Sequence, residues 1–209
     1  MLDTYAHDFT PGAPGDRRVL VLLHGTGGER RGFDALGAAV APGAARLSLD
    51  GDVLEGPHRR FFRRKAEGVY DLDDLALRRT RFAAFLAAAG EAYGFDPARA
   101  DALGYSNGAN LIAAALLADG PVVGRAVLMH PLIPYPVSPP SLSGVKVMVT
   151  GGKRDPIAPL AMTGALVGTL EDAGAEASLT LHEGGHELRE TEVAAAAAFL
   201  AVPAMAEVG

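Results

Sequence analysis

Cysteine and tryptophan are both missing from the 209 residues, and aromatic residues make up only 6%. Without cysteine there is no disulfide framework, no thiolate metal site and no cysteine nucleophile. That usage fits a reducing compartment, and a cytoplasmic location is expected. Positive charge is also short: 19 Lys and Arg stand against 25 Asp and Glu, a net charge of −6. A partner of nucleic acid is therefore excluded, since phosphate contacts need a basic surface. The opening MLDTYAHDFTPGAPGD lacks a basic n-region and an apolar h-region, so no secretory leader is expected. The longest apolar run, Val193 to Ala206, is interrupted by Pro203 and is shorter than the ~20 residues of a membrane span. Serine is scarce too, with six in the chain.

What remains is ordinary for a globular protein: 49% apolar and 21% charged residues. The length suits a single domain over residues 1–209, large enough to bury a sizeable core. Short β-rich runs at Val19–Leu23, Ala45–Leu49, Ala100–Gly104, Val122–Met129, Val145–Thr150 and Ala177–Leu181 alternate with helical patterns. Helices are expected over Asp74–Tyr93, Asn107–Ala118, Pro159–Ala173 and Glu187–Ala201. The central runs are almost continuously apolar, as strands covered on both faces should be. The alternation predicts a three-layer α/β/α sandwich with a mostly parallel central sheet. Asp50 to Asp73 breaks the pattern as a long connection without clear periodicity, and such loops are usually functional or disordered.

One of the six serines lies between two glycines, in Gly104-Tyr105-Ser106-Asn107-Gly108. In a glycine-rich chain the pattern G-x-S-x-G arises by accident often enough to mean little alone. Its setting decides. The pattern follows a predicted strand and opens a predicted helix, as a nucleophile on a tight strand-to-helix turn must. Ligands of open α/β sheets bind beyond the carboxyl ends of the strands, which is where this serine falls. A second glycine-rich stretch, His24-Gly25-Thr26-Gly27-Gly28, follows the first strong strand. It lacks the lysine of a phosphate-binding P-loop, and the backbone N–H groups of Thr26 and Asn107 are the candidate oxyanion donors.

The nucleophile needs a base and the base an acid. Of six histidines, His7, His24, His58 and His182 read as structural or unplaced. His130 closes a strand and is a candidate to line the pocket. His186 lies in a glycine loop between the last strand and the last helix, the place of the base. Asp155 follows the Val145–Thr150 strand and precedes Pro156; taken alone it would be a turn aspartate, but it stands between Ser106 and His186 in the chain. Asp172 and Glu183 are weaker rivals. The order Ser, Asp, His is that of α/β-hydrolases.

The segments LLHGTGG, GYSNGAN, GGKRDPIAP and EGGHEL together resemble the blocks of the phospholipase/carboxylesterase branch of α/β-hydrolases, which includes acyl-protein thioesterases. The resemblance runs from about Val19 to the last helix. It implies the α/β-hydrolase fold without a cap domain, a triad of Ser106, Asp155 and His186, and oxyanion N–H groups at Thr26 and Asn107. It implies hydrolysis of a small-molecule ester or thioester with no metal and no organic cofactor. A ligand-binding protein that keeps the fold without turnover is the alternative, and assembly as a homodimer stays open. In the long loop, Arg59, Phe61, Phe62 and Arg63 are expected to wall the pocket, the phenylalanines by apolar contact and the arginines by attracting an acidic substrate.

Overall fold

The computed structural model describes residues 1–201. Seven strands form one sheet in the order β1-β3-β2-β8-β9-β10-β11, comprising β1 (His7–Thr10), β2 (Val19–Leu23), β3 (Ala45–Leu49), β8 (Asp101–Tyr105), β9 (Arg125–Met129), β10 (Lys146–Gly152) and β11 (Glu176–His182). All neighbours pair in parallel except β1, which runs antiparallel to β3 at the edge. Alternate residues of one strand face opposite layers. Val19, Val21 and Leu23 of β2 pack toward α2 (Leu72–Tyr93), α3 (Asn107–Asp119) and α4 (Leu160–Asp172). Leu20 and Leu22 pack toward α1 (Arg30–Val40) and α5 (Glu190–Ala201). This is the expected three-layer sandwich, and its fold is that of an α/β-hydrolase.

Local chemistry sets the ends of the helices. Asp71 caps α2 by accepting the N–H of Asp74, and Gly94 closes it in the left-handed region at φ 74°. The strand expected from Val122 starts only at Arg125, because Val122 turns back to Gly120 through a backbone hydrogen bond. Of the apolar run Val193 to Ala206, the stretch up to Ala201 belongs to α5 and the rest lies outside the described residues. No helix among the described residues is long and apolar enough to cross a membrane.

The connection from Asp50 to Asp73 is built from two small hairpins, β4 (Val53–Glu55) with β5 (His58–Arg60) and β6 (Arg64–Ala66) with β7 (Val69–Tyr70). Between the hairpins Phe61 and Phe62 enter the core and are fully buried. Phe61 meets the rings of His24 at 4.9 Å and Tyr5 at 6.1 Å, while Phe62 meets Tyr70 at 4.8 Å. The excursion is thereby anchored to the sheet end. Phe61→Ala is expected to destabilise the protein by about 3–5 kcal/mol, the usual cost of emptying a buried aromatic site. Denaturant unfolding of the two proteins checks this, and a loss below about 1 kcal/mol would mean that the anchor is elsewhere.

Candidate active site

Ser106 stands between β8 and α3 with φ 49° and ψ −112°, a backbone conformation that a residue with a side chain seldom adopts. Its N–H donates to the Met129 carbonyl at 2.8 Å, and its carbonyl accepts from Asn110 at 2.8 Å. The flanking glycines have a steric cause. A Cβ on Gly104 would lie 2.6 Å from the Ala109 nitrogen, and one on Gly108 would lie 2.3 Å from the Leu23 carbonyl oxygen. Only glycine lets α3 begin this close to the sheet.

The turn holds Ser106 Oγ 2.9 Å from His186 Nε2, and His186 Nδ1 lies 2.7 Å from Asp155 Oδ2. His186 comes from the loop between β11 and α5, and the Tyr105 hydroxyl fixes that loop by donating to the His186 carbonyl at 2.6 Å. Asp155 sits after β10. Its Oδ1 accepts the N–H groups of Ile157 at 2.8 Å and Ala158 at 2.9 Å. Burial by itself would raise the Asp155 pKa, but the Ala158 N–H, the two imidazoles of His130 and His186 and the Ile157 N–H outweigh it and hold the carboxyl below its ordinary value. Asp155 is therefore a carboxylate, and it selects the His186 tautomer that carries its proton on Nδ1 and leaves Nε2 free toward the serine. The rival Glu183 is exposed and pairs with Lys153 at 2.5 Å.

Thr26 and Asn107 border the same cavity as Ser106 and His186. Asn107 is the first residue of α3, so its N–H has no acceptor within the helix. In the glycine loop, Gly27 donates to Arg59 and Gly28 to Gly25, and Thr26 Oγ1 accepts from Arg60 Nη1 at 2.7 Å. The Asn107 side chain is buried and accepts the Phe61 N–H at 2.6 Å through Oδ1, while its Nδ2 has no partner. The hairpin excursion is thus tied to both loops of the site.

Around Ser106 the cavity measures about 290 Å³ and is walled by Arg60, Arg64, Tyr70, Leu132 and Ile157. These are not the residues expected from the sequence. Phe61 and Phe62 face the core and do not border the cavity. Arg59 and Arg63 are exposed, Arg59 donating to the Gly51 carbonyl at 3.4 Å, and Arg60 and Arg64 stand at the cavity in their place. The difference is one of strand phase. In the β4/β5 ladder Arg60 pairs with buried Val53 and Arg59 with exposed Leu54, so the inward position is one residue later. His130 lines the cavity, as expected. It is buried, however, and its ring nitrogens face the protein, Nδ1 to Asp155 at 2.7 Å and Nε2 to Glu192 at 3.1 Å and to His182 Nε2 at 3.4 Å.

His182, read as structural from the sequence, joins this buried cluster, and with it Glu192 and Thr150, which were not singled out there. A signal for Glu192 does exist: with Ala196 and Leu200 it recurs every four residues, which puts a carboxylate on the core-facing stripe of α5.

No protein-family model matches the chain. It is 39% identical over 175 residues to MhqD of Bacillus subtilis (strain 168), provisionally named a hydrolase, covering 83% of this chain and 88% of that one. The crystal structure of the Bacillus cereus carboxylesterase is 37% identical and superposes with a TM-score of 0.91, covering 94% of this chain and 93% of that one. A structure of YahD with malic acid is 27% identical with a TM-score of 0.88, covering 94% of this chain and 98% of that one. At this identity and coverage, the chain belongs to the phospholipase/carboxylesterase family of α/β-hydrolases.

Proposed function

We propose that the protein hydrolyses small carboxylic esters through an acyl-enzyme on Ser106. Ester hydrolysis is the chemistry named for its carboxylesterase relative. The observation that carries the serine mechanism is the continuous line from Ser106 Oγ through His186 to Asp155 Oδ2, with contacts of 2.9 and 2.7 Å. His186 Nε2 takes the hydroxyl proton as Oγ attacks the ester carbonyl. The oxyanion is met by the N–H groups of Thr26 and Asn107, and Asp155 stabilises the imidazolium. His186 then gives its proton to the departing alcohol. Water, activated by the same base, releases the acid and restores Ser106. A thioester would pass through the same steps.

A cavity of about 290 Å³ lies at the low end of ligand pockets, which favours short acyl and alcohol groups. Across a panel of esters with growing acyl chains, kcat/KM is expected to peak at the shortest members. A steady rise to long chains would overturn the small-substrate reading.

The two inward arginines have separate roles. Buried Arg60 braces the oxyanion loop through Thr26 Oγ1, whereas Arg64 is partly exposed and shares Glu55 with it. A carboxylate on the substrate would compete for Arg64, and the malic acid in the YahD structure supports an acidic ligand. Arg64→Gln is expected to raise KM for an anionic ester roughly two- to fivefold, the range of one partly exposed ion pair, while leaving a neutral ester unchanged. Arg60→Gln is expected to lower kcat for both. Equal effects of Arg64→Gln on the two esters would assign that arginine to loop structure alone.

A further inference from the structure

His24 is buried just beyond the end of β2, where the glycine loop begins. Its two ring nitrogens meet backbone groups whose hydrogen-bonding roles are fixed. Nδ1 lies 2.7 Å from the Gly25 carbonyl oxygen, which only accepts, so Nδ1 carries the proton. Nε2 lies 3.0 Å from the Gly51 nitrogen, whose N–H only donates, so Nε2 carries none. The Asp50 carboxylate is 3.9 Å from Nε2, beyond hydrogen-bond reach, and is occupied by Arg30 at 2.7 and 2.5 Å. The Phe61 ring packs beside the imidazole at 4.9 Å between centres. His24 is thus a neutral imidazole held in one tautomer and one orientation. Burial lowers its pKa against the opposing pull of the Gly25 carbonyl and Asp50, in keeping with that state.

The Gly25 carbonyl takes a second N–H, that of Gly28 at 3.0 Å, which closes a tight turn whose third residue, Gly27, sits at φ 78°. A peptide unit is planar and trans, so its N–H points opposite to its C=O. Holding the Gly25 oxygen toward the His24 ring therefore turns the Thr26 N–H the other way. No acceptor among the described residues takes that N–H, and Thr26 borders the cavity at Ser106. The loop also packs against the nucleophile turn: a Cβ on Gly25 would lie 2.6 Å from Tyr105 Cδ1. We propose that His24 is a positioning residue of the oxyanion hole: by donating from Nδ1 to the Gly25 carbonyl it fixes the Gly25–Thr26 peptide plane and keeps the Thr26 N–H turned to the oxyanion.

This inference rests on the reading of Thr26 as an oxyanion donor to a substrate attacked by Ser106. The two bonds of the His24 ring can be removed one at a time. His24→Asn places an amide nitrogen where Nδ1 stands, so the bond to Gly25 is kept and the acceptor of the Gly51 N–H is lost. His24→Gln places an amide oxygen where Nε2 stands, so the bond from Gly51 is kept and the one to Gly25 is lost. Losing an oxyanion donor outright costs about 10²–10³ in kcat. With Gly28 still bound to the Gly25 oxygen, His24→Gln is expected to lower kcat by about ten- to a hundredfold and to leave KM within about twofold, because the oxyanion exists only in the transition state. His24→Asn is expected to keep kcat within about threefold of wild type. A ring that merely fills the core would give the two variants the same kcat per folded molecule, whatever their loss of stability.

A readout independent of turnover is the Thr26 amide in a phosphonate adduct of Ser106, whose oxygen stands in the place of the oxyanion. In protein carrying isotope-labelled threonine, the Thr26 amide signal is identified by its absence in Thr26→Ser. On adduct formation it should move downfield in the wild type and in His24→Asn, and move less in His24→Gln. Nitrogen NMR on histidine-labelled wild-type protein needs no variant: His24 should carry its proton on Nδ1 alone at neutral pH. A proton on Nε2, or equal kcat and equal Thr26 shifts in folded His24→Gln and His24→Asn, would overturn the inference. A Thr26 signal that stays in place in the wild-type adduct would instead overturn the assignment of Thr26, and the role of His24 with it. Ester turnover by folded Ser106→Ala would overturn the triad reading itself.

Discussion

Ser106→Ala is expected to leave a folded protein without measurable ester turnover, a loss of about 10⁴–10⁶ in kcat. The hydroxyl is partly exposed at the cavity and makes one side-chain contact, to His186 Nε2. The turn that carries it is fixed by backbone bonds to Met129 and Asn110, neither of which involves the hydroxyl. Stability should therefore change by less than about 1 kcal/mol, as for a site outside the packed core. Adding His186→Ala to this variant should cost almost nothing more, because residues acting as one unit are strongly non-additive. Folded Ser106→Ala protein with a tenth of the wild-type rate would contradict the mechanism.

Asp155→Asn should fall nearly as far, by about 10⁴ in kcat, for a reason particular to this site. Asp155 faces backbone N–H groups with one oxygen and imidazole N–H groups with the other. An amide has a single oxygen, so whichever way it turns, its NH₂ meets donors. The cheapest escape is for His186 to shift its proton to Nε2, which disables it as a base. Since His130 loses its partner at the same time, a fall in thermal stability is expected too. Glu183→Gln is the control, because that carboxylate is exposed and bound to Lys153, and its effect on kcat should be within about twofold. A larger loss in Glu183→Gln than in Asp155→Asn would mean that the acid has been misplaced.

The parallel strands and most helices were legible in the sequence because burial on both faces writes them as continuous apolar runs. Where expectation and structure differ, a second influence intervened. Helix α1 carries Phe33, Leu36, Gly37 and Val40 at helical spacing, yet its glycines mask the period. Gly37 is there because Leu22 fills the space of a Cβ, leaving only 2.4 Å between them. Strand β1 is a short edge strand with no fully buried residue, so it has no apolar signature. The chain order and strand-end positions of Ser106, Asp155 and His186 were readable because the turn chemistry is local. The excursion was not, since which of Arg59 and Arg60 faces inward depends on a hairpin register that no local pattern specifies. Glu192, His182 and His130 meet only in three dimensions, through contacts between chain segments 52 and 62 residues apart.

The central claim is that Ser106 is the residue acylated during turnover, and covalent trapping tests it most directly. A fluorophosphonate reacts with an activated serine and stays attached, and peptide mass spectrometry then locates the adduct. One equivalent is expected on the peptide containing Ser106, with loss of ester hydrolysis in step with labelling and no adduct in Ser106→Ala or His186→Ala. An unlabelled but fully active enzyme, or an adduct that persists on another residue in Ser106→Ala, would contradict it.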